Sequence, residues 1–269
     1  MKLDIYQVDA FTSKLFGGNP AAVVPLDAWL PDETMQAIAL ENNLSETAFF
    51  VRESDGYGLR WFTPTFEIDL CGHATLASAH VLYDKIGVRS DVLHFQSKSG
   101  LLTVERKDGR LVLDFPSRPA QPSDAPEGLF EAIGRKPVEV LRARDYMLVY
   151  ESEDEIRSIE PDFSALARIK THAVIVTAPG DTSDFVSRFF APEAGINEDP
   201  VTGSSHCNLI PYWAEKLGKT EMFARQVSAR GGELYCELAG DRVKIGGNAV
   251  TYLKGEIYVE VGGEKSIAA

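Results

Sequence analysis

Cysteine is scarce in this chain: Cys71, Cys207 and Cys236 form an odd, widely spaced set. No C-x-x-C pair offers a zinc or redox spacing, and three cysteines do not make a disulfide framework, so a cytoplasmic setting is expected. Long apolar runs are missing as well. No uncharged stretch approaches the roughly 20 residues of a membrane span, and no membrane association is expected. Asp4 and Asp9 interrupt the opening segment, which lacks the apolar centre of a secretion signal. Positive charge is also in short supply. The 27 Lys and Arg face 40 Asp and Glu, a formal net charge of −13, whereas a nucleic-acid binder needs the opposite balance. The same balance repels small anions at long range, so an anionic substrate would have to be held by local groups such as helix N-termini. What is present is ordinary for a globular protein: 44% hydrophobic and 25% charged residues, in 269 residues with room for two domains.

The chain states one plan twice. Phe62-Thr63-Pro64 precedes a segment opened by Cys71-Gly72-His73 and closed by Asp84-Lys85-Ile86-Gly87. Phe190-Ala191-Pro192 precedes one opened by Thr202-Gly203-Ser204 and closed by Glu215-Lys216-Leu217-Gly218, in the same register without a gap. A duplication of such long period predicts two similar lobes with a cleft between equivalent loops. Residues 70–83 and 201–214 contain no Asp, Glu, Lys or Arg, so each is expected as a helix inside its lobe with strands curled around it. The expected fold is α+β, with lobes at 1–118 and 119–269 joined by the proline-rich stretch 116–126, and terminal strands free to cross. Strands are expected at 47–51, 57–62, 92–95, 101–105, 110–115, 138–150 and 173–177. A helix should run from Asp32 to Asn42-Asn43, and an acidic helical stretch should lie around 152–169.

Chemistry gathers at the two helix mouths. The first turn of a helix leaves backbone N–H groups without partners, and glycine lets a ligand approach them. Gly72 and Gly203 therefore read as a pair of mouths that could hold a carboxylate and stabilise an enolate-like charge, or as plain tight turns. Glu46 stands at the entrance of an apolar strand, where desolvation favours proton transfer, although a solvated strand end has the same sequence. His73 sits one residue into the first helix, opposite Ser204 in the repeat. Asp199, Thr202 and Ser204 are candidate polar partners, each with an alternative reading as a turn or cap residue.

The set Phe16-Gly17-Gly18-Asn19-Pro20-Ala21, Ser45-Glu46-Thr47, Gly72-His73-Ala74-Thr75 and Asp199-Pro200-Val201-Thr202-Gly203-Ser204 resembles the PhzF-like isomerases of phenazine biosynthesis and their relatives. The resemblance runs from the first strand to about residue 260. It implies the fold of diaminopimelate epimerase, a cofactor-free enzyme with no metal, and commonly a homodimer acting on a small anionic metabolite. It assigns Glu46 as the proton-shuttling acid/base, with His73, Asp199 and Ser204 around the substrate. Gly72, Gly203, Thr202 and Asn19 are the expected substrate-binding residues, Asn19 by its place in a shared motif. The epimerase uses one cysteine from each lobe; here Cys71 holds the first place, but Thr202 holds the second and is too weak an acid to serve. A single shuttle by Glu46 on one face of the substrate is the expected reaction, and Cys71 reads as a small buried residue.

The rival readings are an amino-acid or hydroxy-acid epimerase using Glu46 and Asp199, a hydrolase built on Ser204, and a non-catalytic binding module. The hydrolase lacks a G-x-S-x-G elbow. Metal ligation is not expected, because His73, His80, His94, His172 and His206 show no ligand spacing.

Overall fold

A computed structural model describes residues 1–260. The charge-free segments form the two buried helices. Gly72–His80 is buried at all nine positions and continues as a π-helical turn, Val81–Ile86. The second helix is His206–Leu217. Gly87 and Gly218 close them at φ 84° and 65°. A side chain at either glycine would meet open space, so it is the left-handed backbone that requires glycine there.

The second helix begins later than the repeat register implies. Residues 203–205 form a turn instead, closed by His206 N–H to Gly203 O (3.1 Å) and Cys207 N–H to Ser204 O (3.2 Å). Pro211 lies inside this helix and cannot donate to the carbonyl of Cys207. That carbonyl accepts from Arg118 N–H at 2.9 Å, which ties the proline-rich connection to the helix.

The strands repeat one pairing pattern. In residues 1–118, Lys2–Ala10 pairs antiparallel with Asn19–Leu26, which runs parallel to Glu46–Glu53. Gly56–Phe62 follows antiparallel, then Val92–Ser97 parallel, then Gly100–Lys107 and Arg110–Pro116 antiparallel. The second set is Glu139–Arg142, Tyr146–Val149, Val174–Pro179, Phe185–Ala191, Glu221–Gln226, Gly232–Ala239 and Arg242–Gly247, with the same senses in the same order. The fold is α+β, a mostly antiparallel sheet curled around two central helices. Arg242–Gly247 pairs with Arg110–Pro116 across the two halves. The last described strand, Ala249–Tyr258, returns to pair with Lys2–Ala10. A lobe division at residue 118 is accordingly proposed with Ala249–Tyr258 serving the first sheet; residues 261–269 of the expected second lobe lie outside the described residues.

One apolar cluster runs through both halves, from Leu76 and Phe115 to Leu209, Trp213 and Ile245. Burial on this scale supplies the main driving force for folding. The helix Asp32–Asn42 forms as expected, with Met35, Ile38 and Ala39 buried and Asn43 closing it in the left-handed region. The acidic stretch departs from expectation. It breaks into Glu153–Ser158 and Phe163–Leu166, because Pro161 cannot continue a helix and Asp162 starts a new one by accepting from Ala165 N–H at 2.9 Å.

Candidate active site between the helix starts

The two mouths meet at their glycines. A Cβ on Gly72 would stand 3.2 Å from Gly203 Cα and 3.4 Å from Phe115 Cε2, and one on Gly203 would stand 3.3 Å from Gly72 Cα. The glycine pair therefore lets the first helix start and the turn ahead of the second come into contact. Close approach turns the next amides toward one cleft. The N–H groups of Gly72, His73, Gly203 and Ser204 have no protein acceptor among the described hydrogen bonds.

Strand order brings the polar groups together. Asn19 opens one strand and Glu46 opens the parallel neighbour, in register with Ala21. His73 is carried by the first helix, and Asp199 ends the strand Ile196–Asp199. All four side chains are buried. Glu46 Oε2 lies 3.0 Å from His73 Nε2, within ion-pair range but without hydrogen-bond alignment. On the far side of the ring, His73 Nδ1 is 3.5 Å from Cys71 Sγ and 3.2 Å from Asn19 Nδ2. Asn19 Nδ2 also donates to Asp199 Oδ1 at 2.7 Å and to Val201 O at 2.9 Å. An amide has two protons, and the shorter contacts take them. His73 Nδ1 is then left to the Cys71 sulfur, while Nε2 faces Glu46. Flipping Asn19 would set its oxygen against a carboxylate and a carbonyl, so the amide orientation is fixed by its neighbours.

Asp199 is held from the other side. The Thr202 hydroxyl donates to Asp199 Oδ2, and Gln226 Nε2 donates to the Asp199 backbone carbonyl at 2.7 Å. Gln226 Oε1 accepts from Thr202 N–H at 2.9 Å, so one side chain locks both residues. Burial pushes the Asp199 carboxyl up to about 6, helped by the Glu46 charge and opposed by His73, Thr202 and Asn19. Burial acts to depress His73, but Cys71 and Glu46 outweigh it and hold the imidazole well above its ordinary value. Burial and the Glu46 charge raise the Cys71 thiol to about 11.

The cleft has a volume of about 160 Å³ and is lined by Glu46, His73, Asp199, Thr202, Gly203 and Ser204, among others. Ser204 makes no described side-chain hydrogen bond to Glu46, His73 or Asp199. Asn19, expected to face the substrate, does not line the cleft: it is fully buried behind the wall and donates to Asp199 and Val201. Sequence reading also missed Gln226, Arg144 and Asp145. No local pattern marks them, and none lies in the duplicated motif. Histidine spacing gave no hint that donor atoms of Glu46, Cys71 and His73 come within 4.8 Å of one another. A metal could be held at such a spacing only if the thiol lost its proton, which burial opposes.

A curled α+β sheet on two central helices is a fold shared with an epimerase. A hydroxyproline epimerase from Agrobacterium vitis matches it with a TM-score of 0.59 at 12% identity, over 95% of this chain and 92% of that one, which is a likeness of fold alone. A PhzF family phenazine biosynthesis protein from Enterococcus faecalis superposes with a TM-score of 0.94 at 51% identity, over 96% of this chain and 100% of that one. An uncharacterized isomerase of Pseudomonas aeruginosa is 56% identical over 258 residues, 96% of this chain and 99% of its own. The chain belongs to the PhzC-PhzF family of phenazine biosynthesis-like proteins, whose model matches residues 8–255.

Proposed function

We propose that this protein is a cofactor-independent isomerase that moves a proton within a small carboxylate-bearing metabolite. The observation that carries the reading is Glu46 Oε2 facing His73 Nε2 at 3.0 Å in the cleft between the helix starts, misaligned and without another hydrogen-bond partner. Glu46 takes a proton from a substrate carbon and returns it to another carbon on the same face. His73, with Nε2 facing Oε2, stabilises Glu46 as the carboxylate that takes the proton. The free amides at Gly72, His73, Gly203 and Ser204 stabilise the enolate that develops between the two steps, where fixed donors act most strongly. Asp199, Thr202 and Asn19 hold the turn ahead of the second helix in place. The family's named relatives include uncharacterized isomerases, which supports the reaction class.

Substitution Glu46→Gln tests this. Small cyclic carboxylates incubated with the protein in deuterated water should exchange hydrogen at carbon, and the substitution should slow that exchange by about 10²–10⁴-fold. Equal exchange in the variant and the parent would refute the assignment. A second reading is epimerisation, favoured by the raised Asp199 carboxyl as a second acid. Label incorporated with inversion at one carbon, rather than with a shifted double bond, would select it.

The reading also takes the protein to be cytoplasmic, in keeping with its sparse cysteines, and a homodimer. Among the described strands, Ala249–Tyr258 is paired on one side only, and it exposes Tyr252, Leu253 and Tyr258. Such an edge needs a cover.

A further inference from the structure

At the rim of the same cleft, opposite in character to its acidic floor, stands a cluster that the proton-transfer chemistry does not use. Arg144 and Asp145 occupy the turn between Glu139–Arg142 and Tyr146–Val149, and His172 precedes Val174–Pro179. Tyr146 pairs in parallel with Val174, which brings the residues before each strand together. Asp145 is buried, its side chain only 1% exposed, and it accepts from both neighbours. Arg144 Nε reaches Oδ1 at 3.2 Å and Nη2 reaches Oδ2 at 3.2 Å; His172 Nδ1 meets Oδ1 at 2.8 Å. Burial raises the Asp145 carboxyl, but His172 and Arg144 overcome it and hold the group below its ordinary value.

The consequence is a face made of donors. Both Asp145 oxygens are occupied from the rim side, so a ligand in the cleft meets Arg144 and His172 without meeting the carboxylate. Arg144 Nη1 and His172 Nε2 have no partner among the described hydrogen bonds. Both residues line the cleft, and Arg144 is its single Arg or Lys among the described residues, facing the acids Glu46, Asp69 and Asp199. In a chain of net charge −13 such a placement is not a product of composition. The guanidinium fork is the donor geometry that carboxylates fit best.

We propose that Arg144 and His172, braced by Asp145, bind a second acidic group of the substrate, so that the substrate class is a small ring-sized diacid. This rests on the isomerase reading for the first carboxylate, which the helix starts hold. A cleft of about 160 Å³ sets the scale, since a cavity of about 150 Å³ accepts benzene. Arg144 and His172 act on binding and not on the proton.

The test is binding, measured calorimetrically with benzoate and isophthalate as probes. Isophthalate should bind the parent protein at least about 10-fold more tightly than benzoate, a difference of about 1.4 kcal/mol. Arg144→Gln, a change at a half-exposed rim position, should cut that preference to within about twofold; Arg144→Lys should fall between, because a point charge cannot grip as a fork does. The preference should persist in Glu46→Gln, which separates this outcome from that of the hydrogen-exchange test. The proposal is overturned if the parent shows no preference, if neither probe binds, or if Arg144→Gln keeps the preference intact.

Discussion

Adding one methyl group at the crossing of the two helix starts tests the geometry on which the site depends. In Gly72→Ala the new Cβ would stand 3.2 Å from Gly203 Cα and 3.4 Å from Phe115 Cε2. Ordinary contact for such a carbon begins near 3.4 Å, so the two backbones must part by a few tenths of an ångström. Alanine favours helix over glycine by about 1 kcal/mol, which works in the variant's favour. Overpacking of a close-fitted interior costs about 1–3 kcal/mol and works against it. The obstacle is backbone and not a side-chain tip, so the upper part of that range applies and a net loss of about 1–2 kcal/mol is expected. Urea unfolding should report it as a lower midpoint with an unchanged slope. The functional loss should be larger than the stability loss suggests. A 1 Å misplacement of reacting groups can cost about 100-fold, so a shift of a few tenths should slow substrate hydrogen exchange by about 3–10-fold. Gly203→Ala should behave similarly, and the double variant should depart from additivity because both changes widen one gap. A Gly72→Ala protein as stable and as active as the parent would refute the claim that the glycine contact sets the cleft.

Two further outcomes follow from the titrating groups. Asp199 is held at about 6 against an ordinary 3.8, so the folded chain binds this proton more tightly than the unfolded one. Its stabilising effect is complete below pH 3.8 and is lost as pH rises through 6. Asp199→Asn should remove that slope and gain up to about 3 kcal/mol at pH 8 in urea titrations, while impairing hydrogen exchange; an unchanged pH slope would discount the buried carboxyl. Cys71, raised to about 11, should resist iodoacetamide at pH 7.5 in the native protein and react only on unfolding. Cys71→Ala should keep substantial exchange activity, and complete loss would assign the thiol a chemical role.

Much of the fold was legible because charge is a hard constraint. Two stretches without a single Asp, Glu, Lys or Arg have nowhere to go but inside, and Gly87 and Gly218 mark where each helix stops. The late start of the second helix was not legible. It depends on Gln226 holding Thr202, a partner far along the chain that no local pattern announces. Glu46 was legible as a carboxylate opening an apolar strand, His73 and Asp199 by their places at the two helix mouths, and the structure brings all three to one cleft. Asn19 was seen within a motif, but its position behind the wall follows from which strand lies next to which. The glycines show the limit most clearly: a sequence shows that a side chain is missing, not what stands in the vacated space. Arg144, Asp145 and His172 escaped because a strand pairing unites them, and nothing in their own neighbourhoods alternates or repeats.

The return of Ala249–Tyr258 to the side of Lys2–Ala10 has a consequence for synthesis. A nascent chain that has cleared the ribosome as far as residue 118 lacks the partners of both its outermost strands, since Lys2–Ala10 awaits Ala249–Tyr258 and Arg110–Pro116 awaits Arg242–Gly247. The first half can be assembled only provisionally until nearly the whole polypeptide exists, and its seam is closed by the last described strand to emerge. Shortened products that end before residue 249 should therefore be recognised by cellular proteases as unfinished, even though every side chain of the Glu46–His73–Asp199 cluster has already been made.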